Sequence, residues 1–274
     1  MIETILVATD GSECALAAER CAITLASKLG VSLIGMTVIE DRLVHPPASE
    51  GMNLPPFPES ELVAFYRARA DSILRQFGER ARAAGVEVTC DVAQGTANDR
   101  IVERSLASSL TIVGRDSRSS EGSRGGQFGA TAEAVTRKTT KPVLVVPAGA
   151  QLSGPIVLGF DGSPGSKLAA KLTVFLANGL GEQVHVFVDS KDKGRAVTRF
   201  DEVRNLVSGL ANPIRETSST LGRPDVKLVD AARDSDAGLI VMGAFGRNRI
   251  TDFFIGSNAA AVARTSPVAV LLAR

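Results

Sequence analysis

Several residue types and patterns that mark particular protein classes are scarce or missing in this chain. Its 274 residues include no tryptophan, one tyrosine, two histidines and three cysteines, and aromatic residues make up 4%. The cysteines, Cys14, Cys21 and Cys90, form neither a CxxC pair nor a Cys/His metal spacing, which argues against a disulfide framework and a structural zinc site. Cys14 and Cys21 stand seven apart on one expected helix, about 10 Å along its axis and too far for a disulfide. They read as reduced, buried thiols of a cytoplasmic protein. No segment reaches 18 uninterrupted apolar residues, and the first residues begin at once as a strand without a basic leader, so neither a membrane span nor secretion is expected. An excess of one charge is missing too. The net charge is +1, with 16 basic against 18 acidic residues up to residue 150 and 15 against 12 beyond it, so neither half carries a field suited to nucleic acid. Neither a G-x-x-x-x-G-K-[ST] loop nor a G-x-G-x-x-G after a strand is present. Neither His45 nor His185 lies in a Ser/His/Asp or metal-ligand pattern, and His185 alternates within an apolar strand and reads as structural. No nucleophile or general base stands out, which argues against efficient catalysis.

The chain is rich instead in small aliphatic residues. Hydrophobic residues make up 44% and charged residues 22%, and a core of Val, Ile, Leu and Ala suits parallel sheets covered by helices. The length suggests two domains, and the chain repeats itself at that scale. Ile5-Leu-Val-Ala-Thr-Asp-Gly-Ser12 returns 151 residues later as Ile156-Val-Leu-Gly-Phe-Asp-Gly-Ser163. Each phrase is an apolar strand closed by Asp-Gly-Ser and followed by an Ala-rich helix, Glu13 to Leu29 and Pro164 to Leu180. Ser12 and Ser163 suit the N-cap, Pro164 the first turn, and Gly30 and Gly181 the C-terminal stop.

Second strands follow at Val31 to Ile39 and Gln183 to Val188. The halves then diverge. Residues 41 to 58 contain five prolines and His45 and read as a loop without regular structure, where the second half has only the charged turn Ser190 to Gly194. Helices are expected over Glu59 to Ala84 and Ala196 to Leu210, and third strands over Val86 to Val92 and Pro213 to Thr220, the latter polar enough for an edge. Third helices, Ala97 to Ala107 and Asp225 to Arg233, lead to fourth strands at Leu110 to Val113 and Leu239 to Met242. Fifth strands lie between Pro142 and Pro147 and from Pro267 to Leu272. The expected fold is α/β, with two tandem Rossmann-like domains, 1–148 and 155–274. Each is a five-stranded parallel sheet with helices on both faces, and the linker is Ala148 to Gly154.

In such a sheet a ligand binds beyond the carboxyl ends of the strands, where the chain order reverses. Asp161 ends the first strand of the second half and Gly243 the fourth. After Gly243 comes G-x2-G-x9-G-S, with Gly246 and then Gly256-Ser257 opening a small-residue helix. Free N–H groups and the positive helix end there favour an anion. Asp161 could meet ribose hydroxyls or simply close an Asx-turn. The first half makes the same connection differently, from Gly114 through Ser117 to Gly129-Ala130, with Gly129 15 positions beyond Gly114 where Gly256 is 13 beyond Gly243. Arg115, Arg118 and Arg124 in that loop read as solvated rather than phosphate-binding.

This arrangement, repeated over essentially the whole chain, resembles the universal stress protein family in its tandem two-domain form. Gly243, Gly246, Gly256 and Ser257 match that family's ATP-binding signature. The resemblance implies adenine near Phe160, Asp161 and Val188 with Met242 against the base, and phosphates over Gly246, Arg247, Gly256, Ser257 and Asn258. Asn258 stands where the family more usually has a small apolar residue. The function so implied is an ATP-binding stress-response or regulatory protein using mainly its second half, with at most slow hydrolysis; a magnesium requirement stays open. The resemblance also implies pairing of the two halves through their fifth strands as an intramolecular pseudo-dimer, with a homodimer as a further step. An adenine-nucleotide hydrolase or transferase and a nucleotide-independent interaction module are the alternatives.

Overall fold

The computed structural model describes residues 2–44, 59–116, 128–220, 222–244 and 255–274. The first half runs β1 (Thr4–Ala8), α1 (Glu13–Leu29), β2 (Ser32–Glu40), α2 (Asp41–Val44), α3 (Glu59–Ala83), β3 (Val88–Gly95), α4 (Ala97–Ser105), β4 (Leu110–Gly114), α5 (Ala130–Lys138) and β5 (Val143–Val146). The second half runs β6 (Ile156–Gly159), α6 (Pro164–Leu180), β7 (Val184–Asp189), α7 (Lys193–Leu206), β8 (Arg215–Ser219), α8 (Pro224–Asp234), β9 (Leu239–Gly243), α9 (Ser257–Thr265) and β10 (Ala269–Ala273). The strands form one ten-stranded sheet in the order β3-β2-β1-β4-β5-β10-β9-β6-β7-β8. Pairing is parallel inside each half. At the join, β5 and β10 run antiparallel, with Leu144 opposite Leu271.

The Asp-Gly-Ser phrase is one local device used twice. Asp10 Oδ1 accepts from the Ser12 amide at 3.0 Å, and Asp161 Oδ1 from the Ser163 amide at 2.9 Å. The central Gly11 and Gly162 both sit at φ 76, a left-handed backbone that glycine adopts without strain. The serine then caps the helix, its hydroxyl accepting from Ala15 N or Ser166 N. Both helices end on a left-handed glycine, Gly30 and Gly181.

Apolar layers cover both faces of the sheet. One packs α1, α3, α6 and α7 on Ile5, Val7, Leu158, Val186 and Val188; the other packs α4, α5, α8 and α9 on Leu6, Val113, Phe187 and Ile240. The join is buried too. All of β5 and β10 is buried, and Leu29 of α1 lies against Gly179 of α6 so closely that a Cβ there would come within 2.2 Å of it. Two arginines cross the join: Arg115 donates to the Ser266 carbonyl at 2.6 Å, and Arg274 donates to the Thr136 carbonyl. Burial lowers the Arg274 guanidinium to about 10, still charged at neutral pH.

The structure departs from the sequence expectations in a few places. Asp41–Val44 forms one helical turn inside the stretch expected to be irregular, with Val44 buried; residues 45–58, His45 among them, lie outside the described residues. α7 starts at Lys193 instead of Ala196, because the Asp192 carboxylate accepts from the Arg195 amide at 2.7 Å and caps the helix. The polar β8 takes the edge, paired only with β7. Cys14 and Cys21 are buried free thiols, both raised to about 11 chiefly by burial.

A close approach fixes where each fourth strand ends. A Cβ on Gly243 would stand 2.7 Å from the Gly165 carbonyl carbon, and one on Gly114 would stand 2.9 Å from that of Cys14. The backbone of α1 or α6 thus rests on the terminal glycine of β4 or β9, in the first half as in the second. Gly114→Ala, far from the second-half loop, is therefore expected to cost about 1–3 kcal/mol through this overlap, read as a lower urea midpoint at unchanged slope. An unchanged midpoint would show that the helix can move aside.

His185 gives a pH dependence with a definite sign. It is buried in β7 with Nε2 2.7 Å from the Thr217 hydroxyl, and burial together with Arg215 holds its pKa below the ordinary 6.5. The unfolded chain then binds more protons in the window just below 6.5, so this group's stabilising contribution falls with pH there. Unfolding midpoints measured from pH 7.5 to 5 should drop for the wild type and drop less for His185→Gln. Parallel curves would rule out His185 as the cause.

Candidate functional site

The parallel strands of the second half deliver their carboxyl ends to one edge, and a cleft of about 690 Å³ opens there. Its floor and walls come from β6, β7, β9 and the first turns of α6, α8 and α9. Gly159, Phe160 and Asp161 enter from β6 and its turn, Phe187 and Asp189 from β7, and Met242 and Gly243 from β9. Gly256, Ser257, Asn258 and Ala259 supply the start of α9.

The two ends of the cleft differ chemically. At one end, Gly256 is the N-cap of α9 with no side-chain cap, and its own amide donates to the Ala244 carbonyl at 2.9 Å. Ser257 and Asn258 follow in the first turn, both exposed, and no acidic residue occupies that turn. First-turn amides lack helical acceptors, so this end presents donors and the positive end of a helix dipole. Phe187 of β7, two strands from β9 in the sheet order, joins Met242 of β9 and Pro224 and Leu228 of α8 in an apolar slot. A flat apolar group on one side and an anion on the other would suit this shape.

Of the residues expected at the site, Phe160, Asp161, Met242, Gly243, Gly256, Ser257 and Asn258 all line the cleft. Val188 does not. It is fully buried among the α6 and α7 side chains, because side chains alternate along a strand and the cleft receives Phe187 and Asp189 instead. Gly246 and Arg247 lie outside the described residues. Asp161 closes the Asx-turn with Oδ1 and also lines the cleft.

Some lining residues escaped the sequence reading. Lys191, Arg195 and Arg199 bring positive charge to the α7 side. Arg199 lies across Gly162 and pairs with Glu202 at 2.7 Å, while Lys191 and Arg195 make no ion pair among the described residues. The charged composition of the turn from Ser190 to Gly194 was the available signal. Asp189 was missed for a different reason, as the last residue of an otherwise apolar strand. Burial raises its carboxyl above the ordinary value, against a hydrogen bond from Ser219 that lowers it. Among the described residues, no group of three His, Cys, Asp or Glu side chains is placed to hold a metal ion.

At the corresponding place in the first half, the described side chains bond one another. Asp116, just beyond β4, accepts from the Cys14 thiol at 3.1 Å and from Arg115 Nε at 3.0 Å, and Arg115 is committed to Ser266 across the join. At the helix start, Gly129 again stands at the cap, with φ and ψ of −60 and 140 against −60 and 143 at Gly256, but Ala130 replaces Ser257.

The chain has clear relatives over its whole length. The model of the universal stress protein family matches twice, at residues 1–147 and 153–274. A universal stress protein of Synechocystis sp. is 25% identical over 100% of both chains, and one of Thermus aquaticus is 32% identical over 43% of this chain and 97% of its own length. The solved structure of a universal stress protein from Archaeoglobus fulgidus superposes with a TM-score of 0.78 at 18% identity, covering 99% of this chain and 98% of that one, which is a likeness of fold. Two matches in tandem, on two halves that share one sheet, make this chain a two-domain member of the universal stress protein family.

Proposed function

We propose that the second domain, residues 155–274, binds ATP in the cleft at its sheet edge, and that the first domain, residues 1–148, does not bind it comparably. The observation that carries this reading is the pairing of a helix start at Ser257 that has no side-chain cap and no acidic first-turn residue with an apolar slot lined by Met242 and Phe187. The base lies in the slot, the ribose near Asp161, and the phosphates over Gly256, Ser257 and Asn258, with Gly246 and Arg247 following in the same loop. Lys191 and Arg195 add attraction for a polyanion. The internal comparison supports the asymmetry. Gly114 and Gly129 are kept in the first half, where the fold requires the one and uses the other as a cap, whereas Ser117 and Ala130 replace Gly246 and Ser257.

Magnesium, where present, arrives on the phosphates and keeps much of its water, as that ion does with nucleotides. The protein acts as a cytoplasmic regulatory binder of the stress-response type with at most slow turnover. Among the described residues lining the cleft, no side chain stands in a nucleophile and base arrangement. The paired halves constitute an intramolecular pseudo-dimer; association of two chains would use other surfaces.

A charge placed at the phosphate end tests this. Glutamate is well tolerated in the first turn of a helix, so Ser257→Glu should fold normally yet weaken ATP binding by about tenfold or more in a calorimetric titration. Ala130→Glu, the corresponding change at the exposed start of α5, should leave the affinity unchanged. Gly246→Val should also reduce binding. Equal losses from Ser257→Glu and Ala130→Glu, or no binding by the wild type, would overturn the reading, and turnover of many ATP per minute would favour an enzyme instead.

A further inference from the structure

The slot end of the cleft carries a polar group that the fold does not require. Asp189 ends β7, on the same face as Phe187, and lines the cleft. Its neighbour in β8 is Ser219, whose hydroxyl bonds the carboxyl. Its Oδ1 is buried and has no hydrogen-bond partner among the described residues, and the same is true of the hydroxyl of the next residue, Ser190, which also lines the cleft. An unmade hydrogen bond at a buried carboxyl oxygen costs free energy until a donor reaches it.

The first half shows what the fold needs at this position. The Thr9 amide bonds the Met36 carbonyl just as the Phe160 amide bonds that of Phe187, at 2.8 and 2.9 Å. This sets Met36 against Phe187, and counting two residues on sets Val38 against Asp189. The partner across the strands is Ala93 for Val38 and Ser219 for Asp189. An apolar pair packed on the core in one half is thus an acid and a hydroxyl in the other. The substitution places an acceptor in the slot, two strands from the anion end, where a base edge would lie.

We propose that Asp189 is a specificity-determining residue that accepts a hydrogen bond from the 6-amino group of adenine. This rests on the nucleotide reading of the cleft given above. Because χ2 of a carboxyl group is a broad torsion, rotation about it can bring Oδ1 from its buried position toward the slot. The Ser190 hydroxyl beside it can donate to the adjacent ring nitrogen of the base. The carboxylate disfavours a base that presents an oxygen in place of the amino group, since two acceptors would then face each other.

The test compares ATP with the 5′-triphosphate of purine riboside, which is ATP without its 6-amino group. Wild-type protein should bind ATP about tenfold or more tightly than the purine analogue, the scale of a hydrogen bond to a charged acceptor. Asp189→Val, the residue of the first half, should bring that ratio close to one. Asp189→Asn, whose amide oxygen still accepts, should keep most of it and guards against a folding defect in the valine variant. If ATP binds but the ratio is the same in wild type and Asp189→Val, the assignment fails while the nucleotide reading stands. Tighter binding of GTP than ATP would also overturn it, because the carboxyl would then serve a different base edge. Failure of ATP to bind the wild type at all would remove both readings.

Discussion

The site depends on one steric constraint, the contact of a helix backbone with the last residue of a neighbouring strand. At Gly243 the backbone of Gly165 and Ser166 sits where a Cβ would be. That contact brings the first turn of α6 against the end of β9, and so places the Asp161 turn, Met242 and the start of α9 around one opening. Because β6 and β9 are hydrogen-bonded neighbours, no long loop is needed to bring these groups together. A side chain at 243 would have to push α6 away from the sheet, which would cost packing and widen the cleft together.

The join between the halves works at another scale. A parallel sheet ending on apolar strands such as Val143–Val146 or Ala269–Ala273 would expose unpaired backbone groups on a hydrophobic edge. Antiparallel pairing of β5 with β10 turns these two edges into the sheet's interior and leaves the more polar β3 and β8 outside. Leu29 on Gly179 and the arginines Arg115 and Arg274 extend the contact beyond the strands. Arg115 is thereby held at the join by the Ser266 carbonyl.

Much of this was legible in the sequence because it is carried by short-range rules. The Asp-Gly-Ser turn, its caps at Ser12 and Ser163, and the glycine stops at Gly30 and Gly181 read correctly to the residue, since each is set by the conformation of two or three neighbours. The apolar strands read almost as well. Less legible were features that depend on distant partners. Val188 was expected at the site and faces the core, because which face of β7 meets the cleft is decided by packing against α6 and α7. Lys191 went unnoticed because the charged turn that carries it reads as solvated, and Asp189 because it ends an otherwise apolar strand. The need for Gly114 and Gly243 was visible only as a motif, and the structure gives it a cause in backbone overlap.

Duplication makes it possible to separate what the fold demands from what a ligand would demand. Positions alike in both halves, such as Asp10 and Asp161, Gly114 and Gly243, or Gly129 and Gly256, each have a backbone reason in both places. Their presence therefore argues little about binding. The informative positions are those that differ while the backbone stays the same: Ser257 against Ala130 at nearly identical cap angles, and Asp189 against Val38 at equivalent register. One stands at the start of α9 and the other at the end of β7, and both line the same cleft. Under the proposed reading, one bound nucleotide would account for both departures, whereas surface drift would be expected to scatter such differences over the domain.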